Sequence, residues 1–223
     1  MRRCRWFYGK QLGIARGFLC AAILAITGAF CQAAGGATVD FETVPVGTHY
    51  GFTGGDNPGD VVLIQDDIAM SVEFLSIAPT PNFFQATVGG DFAPLMPTTP
   101  LSINNIDLRF DFSNLGFQVT QVTVEFREFS GVNDFRVDDG TNHVVDSFTD
   151  LPSTVGPGVA ATVGASSTIT GVDIITLTGT DIQSFQIGGQ ELVIDNIVAT
   201  PEPATGLLLL CGCVAMARKR RRA

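Results

Sequence analysis

Apolar and polar residues alternate one by one along several short stretches of this chain, and that period of two constrains its fold more than any other feature. Val122, Val124 and Phe126 alternate with Thr123, Glu125 and Arg127, and Leu108, Phe110 and Phe112 with Arg109 and Asp111. Val39 and Phe41 alternate with Asp40 and Glu42 in the same way. Successive side chains of an extended strand point to opposite faces, so each stretch can bury one face and wet the other. Nineteen glycines and nine prolines between residues 35 and 200 interrupt the chain every few residues, which works against long helices. Further strands are expected at 61–65, 68–76, 83–88, 134–138, 142–148, 158–163, 168–178, 182–187 and 191–199, where β-branched and aromatic residues gather. Asp138-Asp139-Gly140-Thr141 predicts a tight hairpin, because Asp-Gly suits positive φ. Residues 78–100, with five prolines, read as a long surface loop around one short strand, and 155–167 as a loop or edge strand. Gly188-Gly189 reads as turn material. Some ten short, turn-punctuated strands predict one all-β domain over residues 35–200, a single antiparallel β-sandwich with a jelly roll as the first choice.

Charge divides the chain into three. Ten of its thirteen basic residues and all five cysteines lie in two terminal strips. Between them, three arginines (Arg109, Arg127, Arg136) stand against 21 carboxylates, a formal net charge of −18. Such a body repels nucleic-acid phosphates and anionic membranes. It also has no cysteine for a disulfide, a thiolate zinc site or a nucleophile. A length of about 166 residues suffices for one domain with a real core.

The strips read as addresses. Residues 1–16 are basic without an acid, 17–31 form an apolar run, and Ala33, Ala34, Gly35 and Gly36 follow. That is the layout of a secretory signal peptide over residues 1–34, cleaved after Ala33 or Ala34. The chain closes with PEPATGLLLLCGCVAMARKRRRA: Pro201, Glu202 and Pro203, an apolar stretch from Ala204 to Ala217, then five basic residues. Fourteen residues at ~1.5 Å each reach ~21 Å, short of a ~30 Å hydrocarbon core. The basic end stays cytoplasmic by the positive-inside rule, which leaves the body outside the inner membrane.

This tripartite tail, residues 201–223, resembles the PEP-CTERM sorting signal, with Pro201, Glu202 and Pro203 matching the motif itself. The resemblance implies recognition by an exosortase, a membrane enzyme of the cysteine transpeptidase kind. It also implies membrane contact through a short C-terminal helix before processing, and delivery toward the cell envelope, outer surface or exopolysaccharide. Residues 40–47 (DFETVPVG) and 187–197 (IGGQELVIDNI) are similar to the opening and closing strands of many passengers of that family. Those passengers are carbohydrate-binding-like or jelly-roll sandwiches, so the resemblance implies a surface or matrix protein that binds glycan or a partner protein, and the absence of Trp and near absence of Tyr and His in the body favour a non-catalytic role.

The body offers little for nucleophilic chemistry. It has two histidines, His49 and His143, no G-x-S-x-G elbow, no H-E-x-x-H and neither phosphate-cradling loop pattern. A loop residue and a strand-edge residue are the simplest readings of His49 and His143. Carboxylates are the one abundant resource. A polysaccharide hydrolase needs a pair ~5–5.5 or ~6.5–9.5 Å apart, and that is the alternative function. Sugar clefts are usually built on aromatic platforms, however, and the body has no Trp, only Tyr50, and fourteen Phe assigned mostly to the core. Structural calcium suits the composition better, as a hard cation that takes oxygen ligands. Asp40 and Glu42 are spaced to share a face of the first strand, and Asp195 lies between apolar Val193 and Ile197 on the last. If the first and last strands pair, Asp40, Glu42 and Asp195 form the candidate calcium site; capping of backbone amides or pairing with an arginine is the other reading of Asp195. Residues 54–60 (GGDNPGD) are a second oxygen-rich loop, and a turn first.

Overall fold

A computed structural model of the chain describes residues 36–76, 81–90, 98–167 and 169–201. The expected signal peptide (1–34) and, apart from Pro201, the expected sorting tail (201–223) lie outside the described residues. Among the described residues every regular element longer than a 3-10 turn is a strand, and the strands form one large antiparallel sheet. The expectation of an all-β body holds. No helix among the described residues is long and apolar enough to cross a membrane.

The axis of the sheet is β13 (Ser184–Pro201), and β8 (Val119–Val137) runs antiparallel along one side of it from end to end. Three strands share its other side in succession: β7 (Ile106–Asp111) beside 184–189, β6 (Leu101–Asn104) beside 192–194, and β1 (Ala37–Val39) beside 197–199. From β7 the sheet continues to β4 (Ile68–Glu73) and β3 (Val61–Gln65). From β6 it continues to β5 (Gln85–Val88) and β2 (His49–Gly51). β8 carries β9 (His143–Val145) near its end and β12 (Asp173–Thr178) near its start, followed by β11 (Val159–Ala165) and β10 (Thr154–Gly156). The fork between the β6 and β7 branches falls at Asn105, whose φ of 52° turns the chain and whose amide donates to the Gly189 carbonyl at 2.8 Å. Asparagine is among the few residues that adopt this conformation readily.

The alternation buries one continuous apolar cluster. Phe148, in a 3-10 turn (Phe148–Asp150), touches Phe126 and Phe135 at centroid distances of 5.2 and 6.0 Å. Phe185 links Phe135 to Phe110 at 6.2 and 5.0 Å. All five rings are buried, each stabilising the fold by about 1.5–3 kcal/mol. Glu128 fixes the Phe148 turn: its Oε1 accepts from the Phe148 amide at 2.7 Å and from Asn133 Nδ2 at 2.8 Å, and its Oε2 from the Ser147 hydroxyl at 2.8 Å.

Five details depart from the sequence reading, one being that the strands read at 122–127 and 134–138 are a single strand, β8. The strands expected at 182–187 and 191–199 are one strand, because Gly188-Gly189 is not a turn; both residues are extended, with Asp107 and Asn133 packed where a side chain would be. Asp138 rather than Gly140 takes the left-handed conformation after β8, with φ 49°, and Phe135 pairs with His143, so the connection is longer than a tight hairpin. The tight two-residue turn is instead Asp66-Asp67, with φ 49° and 63°, closing Gln65 onto Ile68; two left-handed residues match the twist of a hairpin. Finally, β1 ends at Val39 and Phe41 is left-handed at φ 57°, so Asp40 and Glu42 leave the strand instead of sharing one of its faces. Phe41 remains fully buried.

Candidate functional site

β1 does pair with β13, Val39 opposite Ile197, which brings the chain after β1 near Asp195. Asp195 is fully buried. One of its carboxylate oxygens accepts from the Thr98 hydroxyl and the other from the Asn196 amide at 2.8 Å. Glu42 lies beside it, accepting from the Thr99 amide at 2.8 Å and the Thr99 hydroxyl at 3.1 Å. On the adjoining strand, Glu125 accepts from Asn196 Nδ2 at 2.7 Å. Burial, with the charges of Glu125 and Glu42 adding to it and the donors from Thr98 and Asn196 opposing it, pushes the Asp195 carboxyl up to about 6. Asp40 turns elsewhere, accepting from Gln65 Nε2 at 2.6 Å and from the Glu42 amide at 3.2 Å. Of the three expected ligands, Glu42 and Asp195 therefore come together and Asp40 bonds to the end of β3. No group of three or more His, Cys, Asp or Glu side chains gathers in metal-holding geometry among the described residues. In the 54–60 loop, Asp56 accepts from the Gly51 amide at 2.8 Å and Asp60 from the Asn57 amide at 2.8 Å. Both carboxylates thus stabilise nearby backbone turns.

A second buried carboxylate centre escaped the sequence reading. Register places Asp107 of β7, Gly188 of β13 and Asp134 of β8 in one row across three strands, with Arg109, Gln186 and Arg136 in the row two residues along. Both aspartates are buried to within 1%. Gly188 makes room for them: a Cβ there would fall 1.7 Å from Asp107 Oδ1 and 2.6 Å from the Ile106 carbonyl. Gly189 does the same on the opposite face for Asn133, whose Oδ1 would lie 2.5 Å from a Cβ. Gln186 passes hydrogen bonds along the rows, accepting from Arg136 Nη2 at 2.7 Å and donating Nε2 to Asp107 Oδ2 at 2.5 Å. Asp134 Oδ2 accepts from the Ser76 amide at 2.9 Å, just past β4. The other oxygen of each aspartate is buried and has no donor, although the two carboxyls are in hydrogen-bonding contact. That contact is closer than either glycosidase spacing. Burial, then the Asp134 charge, pushes Asp107 up to about 9, and burial raises Asp134 as well. One sequence feature does mark this centre. Asp107-Leu108-Arg109 and Asp134-Phe135-Arg136 repeat the spacing Asp-x-Arg and use two of the three body arginines.

An open polar groove lies on the β2–β5–β6 branch. His49 stands opposite Thr87, and Thr87 opposite Ser102; Gln85 stands opposite Asn104. These five side chains line one cavity with Gly90 and Ile103, while Ala86, Val88 and Leu101 between them are buried in the core. His49 Nδ1 and the Thr87 hydroxyl are 2.9 Å apart. Ser102 Oγ is buried without a partner, and a Cβ on Gly90 would press to 2.9 Å from it. Gly90 thus leaves the space beside that hydroxyl unfilled. The lining contains no carboxylate, lysine or arginine. His143 lines a second recess with Asp139, Thr141 and Thr154. The fourteen phenylalanines are not all core, because Phe52, Phe74 and Phe84 are exposed. Comparison with protein-family models, with curated proteins and with solved structures finds no match.

Proposed function

We propose that this is an exported, non-catalytic protein of the cell surface or extracellular matrix, sorted by an exosortase through Pro201, Glu202 and Pro203, whose body is a jelly-roll-like β-sandwich that binds glycan. The basic, apolar and small-residue segments at the start and the tripartite tail support export and sorting. The groove between β2, β5 and β6 carries the binding assignment. Amides, hydroxyls and an imidazole line it, groups that both donate and accept hydrogen bonds as sugar hydroxyls do. In a body of net charge −18 the groove is an uncharged strip, so it suits neutral glycan better than polyuronate, which the surrounding carboxylates repel.

A titration of the protein against neutral and anionic polysaccharides tests this. Binding to a neutral polymer is expected, with Asn104→Ala and Gln85→Ala each weakening it about tenfold, the value of one well-made hydrogen bond to a buried polar group. Equal binding by wild type and both variants would overturn the groove. Preference for the anionic polymer would overturn the neutral-glycan assignment.

A further inference from the structure

We propose that Asp107 and Asp134 form a carboxyl–carboxylate pair sharing one proton, and that this proton is a pH-sensitive latch. It joins β7 to β8 across Gly188 and holds the chain after β4 against them.

The geometry demands a donor between two acceptors. Each carboxyl has one oxygen engaged, Asp107 by Gln186 Nε2 and Asp134 by the Ser76 amide. The remaining oxygens are buried and lack donors, in two carboxyls that touch. Two ionised carboxylates so placed would repel in a medium of low dielectric, whereas one proton converts the repulsion into a hydrogen bond. Gln186 orients the pair and carries the influence of Arg136 to it. This row is closed to any bulkier neighbour, since Gly188 has no space for even a methyl group. Asp107 is the better holder of the proton. Burial and the Asp134 charge raise it, while the Ser76 amide supports a charge on Asp134.

The charged groups around the pair are few. Glu73 of β4 stands opposite Asp107. Arg109 of β7 and Arg136 of β8 lie one row away, Arg109 donating to the Ser184 hydroxyl of β13 at 3.2 Å. His143 of β9 stands opposite Phe135. Arg136 alone among the cations lowers both carboxyls, and it does so less than burial raises them. The sign follows. The folded Asp107 value, about 9, exceeds its unfolded 3.8, so the folded chain binds one more proton between those limits. The latch is intact below pH 3.8, loses its advantage as pH rises, and has lost it above about 9. Asp195 titrates near 6, which leaves the window from about pH 7 to 9 to the pair.

Denaturant titration of the full-length protein between pH 7 and 9 is the first test. The wild-type folding constant should fall about tenfold per pH unit, the slope for one proton. Asp107→Asn replaces the shared proton with a permanent amide donor, so its slope should be close to zero and its stability at pH 9 should exceed wild type. An unchanged slope in Asp107→Asn, or a flat wild-type profile, overturns the proposal. Infrared spectroscopy of wild type provides a readout independent of any variant. A protonated-carboxyl stretch should be present at pH 7 and disappear only as pH passes about 9, and its absence at pH 7 overturns the latch. If millimolar calcium abolishes that band and raises stability in wild type but not in Asp107→Asn, the pair is a cation site and the shared proton is wrong.

Discussion

Asp195 and Asp107 are both fully buried aspartates in adjoining strands of one sheet, yet the fold treats them differently. Asp195 is met by a donor at each oxygen, the Thr98 hydroxyl and the Asn196 amide, and its carboxyl rises to about 6. Asp107 has Gln186 at one oxygen and a second carboxyl at the other, and rises to about 9. Burial is the largest cause in both; donors at both oxygens then pull Asp195 down, whereas at Asp107 the Asp134 charge adds to burial. A carboxylate given enough donors can stay charged in a core; one given a second carboxylate must keep a proton. Local backbone produces the contrast. The left-handed Asn196 (φ 47°) breaks the ladder beside Asp195, and β13 then continues with a register shift before Val198. At Asp107 the ladder is regular, and the only concession is the missing side chain at Gly188.

The contrast between the two aspartates depends most on that glycine. Gly188→Ala puts a methyl group 1.7 Å from Asp107 Oδ1 with the Ile106 carbonyl behind it, and the loss of stability should exceed about 3 kcal/mol. Its denaturation midpoint should recover in part when Asp107→Ala is added, because the two changes share one space; no recovery would mean that the backbone contact dominates. Thr98→Val comes next. It keeps the shape but removes a donor from Asp195, and should cost about 1–3 kcal/mol at pH 7. A smaller loss would show that the Asn196 amide alone supports the charge. Asp40→Asn should matter least, about 0.5 kcal/mol, since Asp40 is half-buried and the amide still accepts from Gln65. A loss from Asp40→Asn as large as that from Thr98→Val would place Asp40 in the Asp195 network after all.

Much of the sheet was legible because it is written in alternation. β3 falls at 61–65 as expected, and β4 begins at Ile68, where the period of two is unbroken and Asp66-Asp67 marks the end. β2 and β6 were missed because three or four residues give too little pattern to stand out. Gly188-Gly189 misled for a clear reason. Glycine in sequence signals either positive φ or close approach, and only the neighbouring strands, with Asp107 and Asn133 leaning over the two positions, reveal which. The same ambiguity hid the latch. Asp107 and Arg109 sit on the polar side of an alternating strand, which reads as a solvent face; the residues that cover it come from β4, β8 and β13, distant in sequence. For the expected calcium ligands, the pairing of first and last strands was foreseeable but the turn at Phe41 was not, and beyond that turn the Asp40 carboxylate meets Gln65 instead of Asp195.

β13 does not taper before it ends. Its last residue, Pro201, still stands opposite Val119. A pull on Pro201 is therefore passed directly to β13. A tensile load applied there runs along the strand axis, perpendicular to the ladder bonds. β8 resists on one flank, and β1, β6 and β7 in turn on the other. Those bonds are strained together, in shear, instead of opening one after another like a zipper, and the sheet grips β13 as a rope is gripped along its length.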